Sequence, residues 1–193
     1  MRKLKLQELN RPSLEEYKVS EKLPIVVVLD NIRSGMNIGS VFRTSDAFQI
    51  QKIYLTGISA TPPHREITKT AIGATESVDW KHIEDVAQSI NQLKEKGFII
   101  YGIEQTDSSI PLTEIQEQLD KPIALVFGNE VNGISEAVLP LLDKAIEIQQ
   151  FGTKHSLNIS VCAGICLWHL SRCLLYTSPS PRDQRGSRMP SSA

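Results

Sequence analysis

Short apolar runs rich in β-branched residues alternate along this chain with stretches whose apolar residues recur at helical spacing, and no other feature restricts its fold as strongly. Ile25-Val-Val-Val-Leu29 has the unbroken apolar character of a strand covered on both faces. Lys52–Leu55, Ser77–Trp80, Phe98–Ile103, Ile123–Phe127 and Ala145–Ile148 read as further strands. Between them, Asn37–Phe48, a piece near Ile67–Ile72, Ile83–Lys96, Leu112–Leu119, Ser135–Leu142 and Leu157–Leu170 carry helical patterns. Pro12-Ser13 ahead of Leu14-Glu-Glu-Tyr17 marks an earlier helix start. This alternation predicts an α/β protein with a mostly parallel sheet flanked by helices. In such a sheet the active site belongs outside the carboxyl ends of the strands.

At 193 residues the chain has room for one domain with a short appendage. Its 40% hydrophobic and 22% charged residues are ordinary globular usage and exclude a fibrous or wholly disordered chain. The longest apolar run, Ile25–Leu29, is far too short for a bilayer span, and the charged opening MRKLKLQELN lacks a signal-peptide core. A cytoplasmic protein with no membrane partner is expected. The net charge of −1 gives no whole-chain signal for nucleic acid, so RNA affinity would need a local basic surface. Candidates for that surface are Arg2, Lys3, Lys5, Arg11, Arg33, Arg43, Arg65, Lys69 and Lys154. Residues 174–193, rich in Ser, Pro and Arg without periodicity, read as a disordered tail that resembles translated cloning sequence more than native protein.

Three polar clusters rich in Gly and Asn follow strands: DNIRSGMNIGSVFRTSDAF after Leu29, FGNEVNGIS after Val126 and EIQQFGTKHSLNIS after Ile146. Such residues permit tight turns and close backbone approach to a ligand. Standard nucleotide motifs are missing. Gly128 and Gly133 have P-loop spacing, but Ile134-Ser135 stands where Lys-Ser/Thr is required, and no G-x-G-x-x-G follows a strand. Cys162, Cys166 and His169 recur at helical spacing, yet no second ligand pair exists at zinc-like distance, so no metal is expected. The odd count of three cysteines argues against a disulfide scaffold.

Taken in order, the three clusters resemble motifs one, two and three of the SPOUT superfamily of methyltransferases. The similarity is greatest to its TrmH-like branch of RNA ribose 2′-O-methyltransferases. It runs from about Pro24 to Leu170: N-I-R-S-G-M-N-I-G-S-V-F-R, then F-G-N-E-V-N-G-I, then G-T-K-H-S-L-N-I-S. The resemblance implies a C-terminal deep trefoil knot, which pattern reasoning alone would not propose. It also implies S-adenosylmethionine as methyl donor, tRNA or rRNA as partner, and a homodimer. The division that follows is an N-terminal extension at 1–23, a methyltransferase domain at 24–173 and the tail at 174–193. Gln149-Gln150 departs from the Pro that often follows the motif-three Ile.

The resemblance also assigns roles. Arg43 would act as an electrostatic clamp on the 2′-oxygen and adjacent phosphate, since a permanently cationic guanidinium is ill suited to literal base action. Phosphate or water would take the proton. Asn37, Glu130, Ser156 and Asn158 match the other polar site positions, with Glu130 suited to orienting a guanidinium. Asn31 is read as structural or secondary. Gly128, Ile148 and Leu157 match positions whose backbone groups read the donor, and Ile103-Glu104-Gln105 would form another pocket wall. Two alternatives are a member methylating a base nitrogen and a knotted RNA-binding protein without catalysis; Arg43 in motif one and the complete polar set argue against them.

Overall fold

The computed structural model describes residues 1–115 and 121–177. Its elements in chain order are α1 (Leu14–Val19), β1 (Leu23–Asp30), α2 (Gly35–Ala47), β2 (Ile50–Thr56), α3 (Arg65–Ala71), α4 (Ala74–Ser77), β3 (Trp80–Ile83), α5 (Val86–Glu95), β4 (Ile99–Ile103), β5 (Ile110–Pro111), β6 (Ile123–Phe127), β7 (Lys144–Glu147) and α6 (Ile159–Thr177). The strands form one seven-stranded sheet in the order β3-β2-β1-β6-β4-β7-β5, and every pairing is parallel.

The central strands explain the unbroken apolar runs. Along β1, Ile25, Val27 and Leu29 point into a core shared with α2, α3 and α6, whereas Val26 and Val28 point into a second core closed by α5. A parallel strand buried on both faces leaves no position for a polar residue until its end. Helix α2 begins where Ser34 accepts the Asn37 amide, and it packs on α3 so tightly that a Cβ at Gly39 would overlap Thr70 Oγ1 and the Ile67 carbonyl. Helix α6 lies alongside α2 in the same direction. Asn37 bonds Asn158 at one end, and Phe48 shares a hollow with Ser171 and Leu175 at the other.

Several boundaries differ from the sequence expectation. Ser135–Leu142, expected as a helix, is a series of turns with one 3-10 turn at Leu139–Leu141. Pro140 cannot supply the interior bond a helix needs there, and the Val138 and Leu141 amides close three-residue turns on the Ser135 and Val138 carbonyls. The strand expected at Ser77–Trp80 is displaced to Trp80–Ile83, because Ala74–Ser77 closes a helical turn. Helix α5 starts at Val86 rather than Ile83, since Asp85 caps it by accepting the Gln88 amide. Only Leu112–Glu114 of the expected Leu112–Leu119 helix is seen, as a 3-10 turn, and 116–120 lie outside the described residues. Strand β1 starts at Leu23, inside the expected N-terminal extension, and buried Tyr17 of α1 docks that extension by donating to the Asp46 carbonyl. Residues 174–177 continue α6 instead of beginning the tail; 178–193 lie outside the described residues.

Candidate active site

The polar clusters after β1 and β6 are tied together by a buried carboxylate. Asp30 ends β1 with no solvent exposure and accepts from the Ser135 amide (2.7 Å), Ser135 Oγ (2.9 Å) and Asn31 Nδ2 (2.8 Å). Asn31 adopts φ 55°, which Asn tolerates better than most residues, and turns the chain sharply out of the strand. Its side-chain oxygen accepts the Ile58 amide, and its carbonyl accepts Asn129 Nδ2 (2.7 Å). Loops some hundred residues apart thereby share one hydrogen-bonded anchor.

A second network joins all three clusters. The Glu130 carboxylate sits over the start of α2 and accepts from the Arg33 and Ser34 amides and from Asn37 Nδ2, each at 3.1 Å. Asn37 Oδ1 in turn accepts Asn158 Nδ2 (3.2 Å), and Asn158 Oδ1 caps α6 through the Ser160 amide (2.9 Å). A negative group at a helix start is favoured by the exposed amides there. Glu130 thus orients a helix and an amide side chain, where the sequence had suggested a guanidinium.

Beside this network, at the carboxyl ends of β4, β6 and β7, lies a cavity of about 390 Å³. Ile103, Glu104, Gln105, Gly128, Ile148 and Leu157 all line it, together with Glu130, Ser156 and Asn158. Glu104 Oε2 accepts the Ile134 amide (3.1 Å), and Gln105 Nε2 donates to the His155 carbonyl (2.9 Å), so the β4 loop grips both other loops. The Cys162 thiol in the wall is held below its ordinary range by a hydrogen bond from Cys166, against burial and the nearby negative charge of Glu104. The same bond and burial push Cys166 well up. Among the described residues no cluster of three His, Cys, Asp or Glu side chains could hold a metal.

Arg43 is elsewhere. It lies six residues beyond Asn37, about 9 Å of helix rise and ~240° around the axis. It is exposed and lines a second hollow with Arg11, Tyr17, Asp46 and Ser171. Within one chain the structure places Glu130, Ser156 and Asn158 in the cavity wall, holds Asn37 behind them by its bonds to Glu130 and Asn158, and leaves Arg43 outside the lining. Asp30 and Ser135 were missed by sequence reading, although an acid ending an apolar strand was a usable signal.

The sequence model of the SpoU rRNA Methylase family matches residues 24–168. The chain belongs to this family. The sequence resemblance therefore holds at family level, and the SpoU methylase match covers all three loops. Among relatives, the 23S rRNA (guanosine-2′-O-)-methyltransferase RlmB of Vibrio parahaemolyticus is 28% identical over 166 residues, covering 86% of this chain and 66% of that protein. This SpoU-family chain thus spans just under two thirds of that relative's length. Among solved structures, the A. aeolicus TrmH/SpoU tRNA modifying enzyme superposes with a TM-score of 0.74 at 27% identity, covering 84% of this chain and 81% of the other. The SpoU methyltransferase AviRb of Streptomyces viridochromogenes, solved with its cofactor AdoMet, shares the fold at 20% identity and a TM-score of 0.74, covering 82% and 64%.

In this SpoU-family site the ionisation of Glu130 is linked to stability. Burial raises its pKa, but the amides of Arg33, Glu130 itself and Ser34 and the Asn37 side chain together outweigh burial and leave the pKa below its ordinary 4.5. A depressed carboxylate stabilises the fold above its unfolded pKa, and the stabilisation fades as pH falls through the lower folded value. Glu130→Gln should therefore cost about 1 kcal/mol at neutral pH, discounted for the solvent exposure of this carboxylate. The difference should vanish in melts run progressively below pH 4.5. A difference that grows with acidification would contradict the linkage.

Proposed function

We propose that this chain transfers the methyl group of S-adenosylmethionine to a ribose 2′-hydroxyl of tRNA or rRNA, working as a homodimer in the cytoplasm. The observation that carries the reading is the convergence of the second and third motif loops on one cavity, with the first tied to its edge through the Asn37–Glu130–Asn158 network. The residues present suit the donor. Ile103, Ile148, Leu157 and Ile159 offer apolar surface for an adenine, loop backbone lies within reach, and among the described residues no Lys, Arg or His lines the cavity to repel a cation. The family's trefoil crossing belongs to this reading. It is supported by β6 lying between β1 and β4 while the later β7 lies beyond β4. We assign residues 23–177, from the start of β1 to the end of α6, to the methyltransferase domain, with residues 1–22 as a flank docked through Tyr17.

When bound, the sulfonium supplies an already activated methyl group. The chain's own task is to hold a ribose oxygen in line and stabilise the charge it develops. Asn37 and Asn158, each fixed by the other, present amides at the cavity edge. Ser156 is exposed there and can donate to an RNA phosphate. Arg43 completes the site from the partner protomer, where its guanidinium clamps the 2′-oxygen while phosphate or water takes the proton. The exposed α2 face carrying Met36 and Arg43 supports this, as does the α6 stripe of Val161, Ile165, Trp168 and Leu175 at near-heptad spacing.

Incubation with methyl-labelled donor and total RNA, followed by nucleoside digestion, tests the reaction. Label on 2′-O-methylnucleosides is expected; label on a base, or no donor binding, overturns the reading. Trp168 is 52% exposed in the single chain. Trp168→Ala should convert the dimer to a monomer by light scattering, through loss of an aromatic anchor at the interface, on the order of a 100-fold loss in association. A dimer persisting in this variant would exclude the α6 face.

A further inference from the structure

Among the described residues, the charged side chains lining the cavity are Glu104, Glu130 and Glu147, and none is basic. The charge on Glu130 is spent on the start of α2, where it takes three donors. Glu104 is different. It directly follows β4, faces Gly133 so closely that a Cβ there would overlap Oε2, and accepts the Ile134 and Gln105 amides. A carboxylate has about four acceptor sites, so capacity remains. No salt bridge among the described residues neutralises it. Its charge is felt at the Cys162 thiol, another lining group, whose ionisation it opposes.

The methyl donor carries a sulfonium. Once the methyl has moved to the ribose oxygen, with the C–S bond broken and its electron pair kept by sulfur, the by-product is a neutral thioether. Donor and by-product therefore differ by one positive charge at nearly constant shape. Shape cannot separate them strongly, but a fixed negative charge can.

We propose that Glu104 makes the cavity charge-selective, holding the cationic donor in preference to the neutral S-adenosylhomocysteine and so easing product release. This rests on the methyl-donor reading above and goes beyond it by assigning a side-chain function where the sequence had placed only a pocket wall. A cavity of about 390 Å³ has a radius of roughly 4.5 Å, so a cation within it lies inside the range where an incompletely screened unit charge changes affinity about tenfold.

Calorimetry on the full chain at fixed ionic strength tests this with three ligands. They are S-adenosylmethionine, S-adenosylhomocysteine and the isostere in which a protonated amine replaces the methylsulfonium. The wild type is expected to bind both cations about tenfold more tightly than the thioether. Glu104→Gln gives up one of the two amide bonds and should weaken all three ligands, but the two cations by several-fold more, so that the gap closes to about twofold; Glu104→Asp should restore the gap. Equal affinity of the wild type for all three, or a uniform loss in Glu104→Gln, overturns charge selectivity while leaving the donor reading intact. Failure of the wild type to bind any of the three overturns both.

Discussion

Arg43→Ala should lower the single-turnover rate of methyl transfer by about 10²–10³-fold at saturating RNA and donor, the loss seen when one charge-stabilising donor is removed from an active site. Donor affinity should stay within about twofold, because Arg43 does not line the cavity. The placement of Arg43 in a separate hollow also specifies how activity can be recovered. Coexpression of Arg43→Ala with a chain whose cavity is broken gives a mixed dimer in which one site combines an intact cavity with an intact partner arginine. With random pairing, half the dimers are mixed and half their sites are whole, so about a quarter of wild-type activity should return. An arginine acting within its own chain gives no recovery, because every site then lacks either the cavity or the guanidinium.

The cavity-breaking change for that experiment is Gly128→Ala, expected to weaken donor binding by about 100-fold, the equivalent of roughly 3 kcal/mol of overpacking. Gly128 follows β6 where the loop folds back through the paired Asn129 and Gly133 amides and carbonyls, both at 2.9 Å. An added Cβ would overlap the Gly133 carbonyl carbon and the Ile134 amide nitrogen, all backbone with no side chain to swing aside. The loop would have to open, carrying Glu130 off α2 and Ile134 off Glu104. Gly152→Ala in the third loop is the control, since nothing lies within 4 Å of its added Cβ. Calorimetry below both melting transitions should show normal donor affinity for the control and near-complete loss for Gly128→Ala. Wild-type affinity in Gly128→Ala would mean that this turn does not shape the cavity.

The parallel sheet was legible because Ile25–Leu29 and Ile123–Phe127 are buried on both faces, and that constraint writes itself directly into residue type. The cavity wall was legible through resemblance, and each of its six expected residues lies there. Sequence could not show that Asp30 spends its charge on Ser135, because a contact between residues 105 apart leaves no periodic trace. Ser135–Leu142 has helical apolar spacing, yet Pro140, visible in the sequence, removes an interior donor and the segment closes three-residue turns instead. Arg43 marks a different boundary. Its motif places it beside Asn37 in sequence, while the helix carries it around to another face.

The sheet order has a consequence for biosynthesis. Strand β6, the wedge that seals β1 to β4, leaves the ribosome only after both have emerged, and it pairs with each over five residues. Until then the nascent chain holds β3-β2-β1 with a sticky, wholly apolar flank, and β4 has no lateral mate. Productive collapse must await the last third of translation, and fragments halted before Ile123 should clump rather than mature. Cells making this protein would be expected to shelter the emerging polypeptide with a chaperone until that wedge arrives.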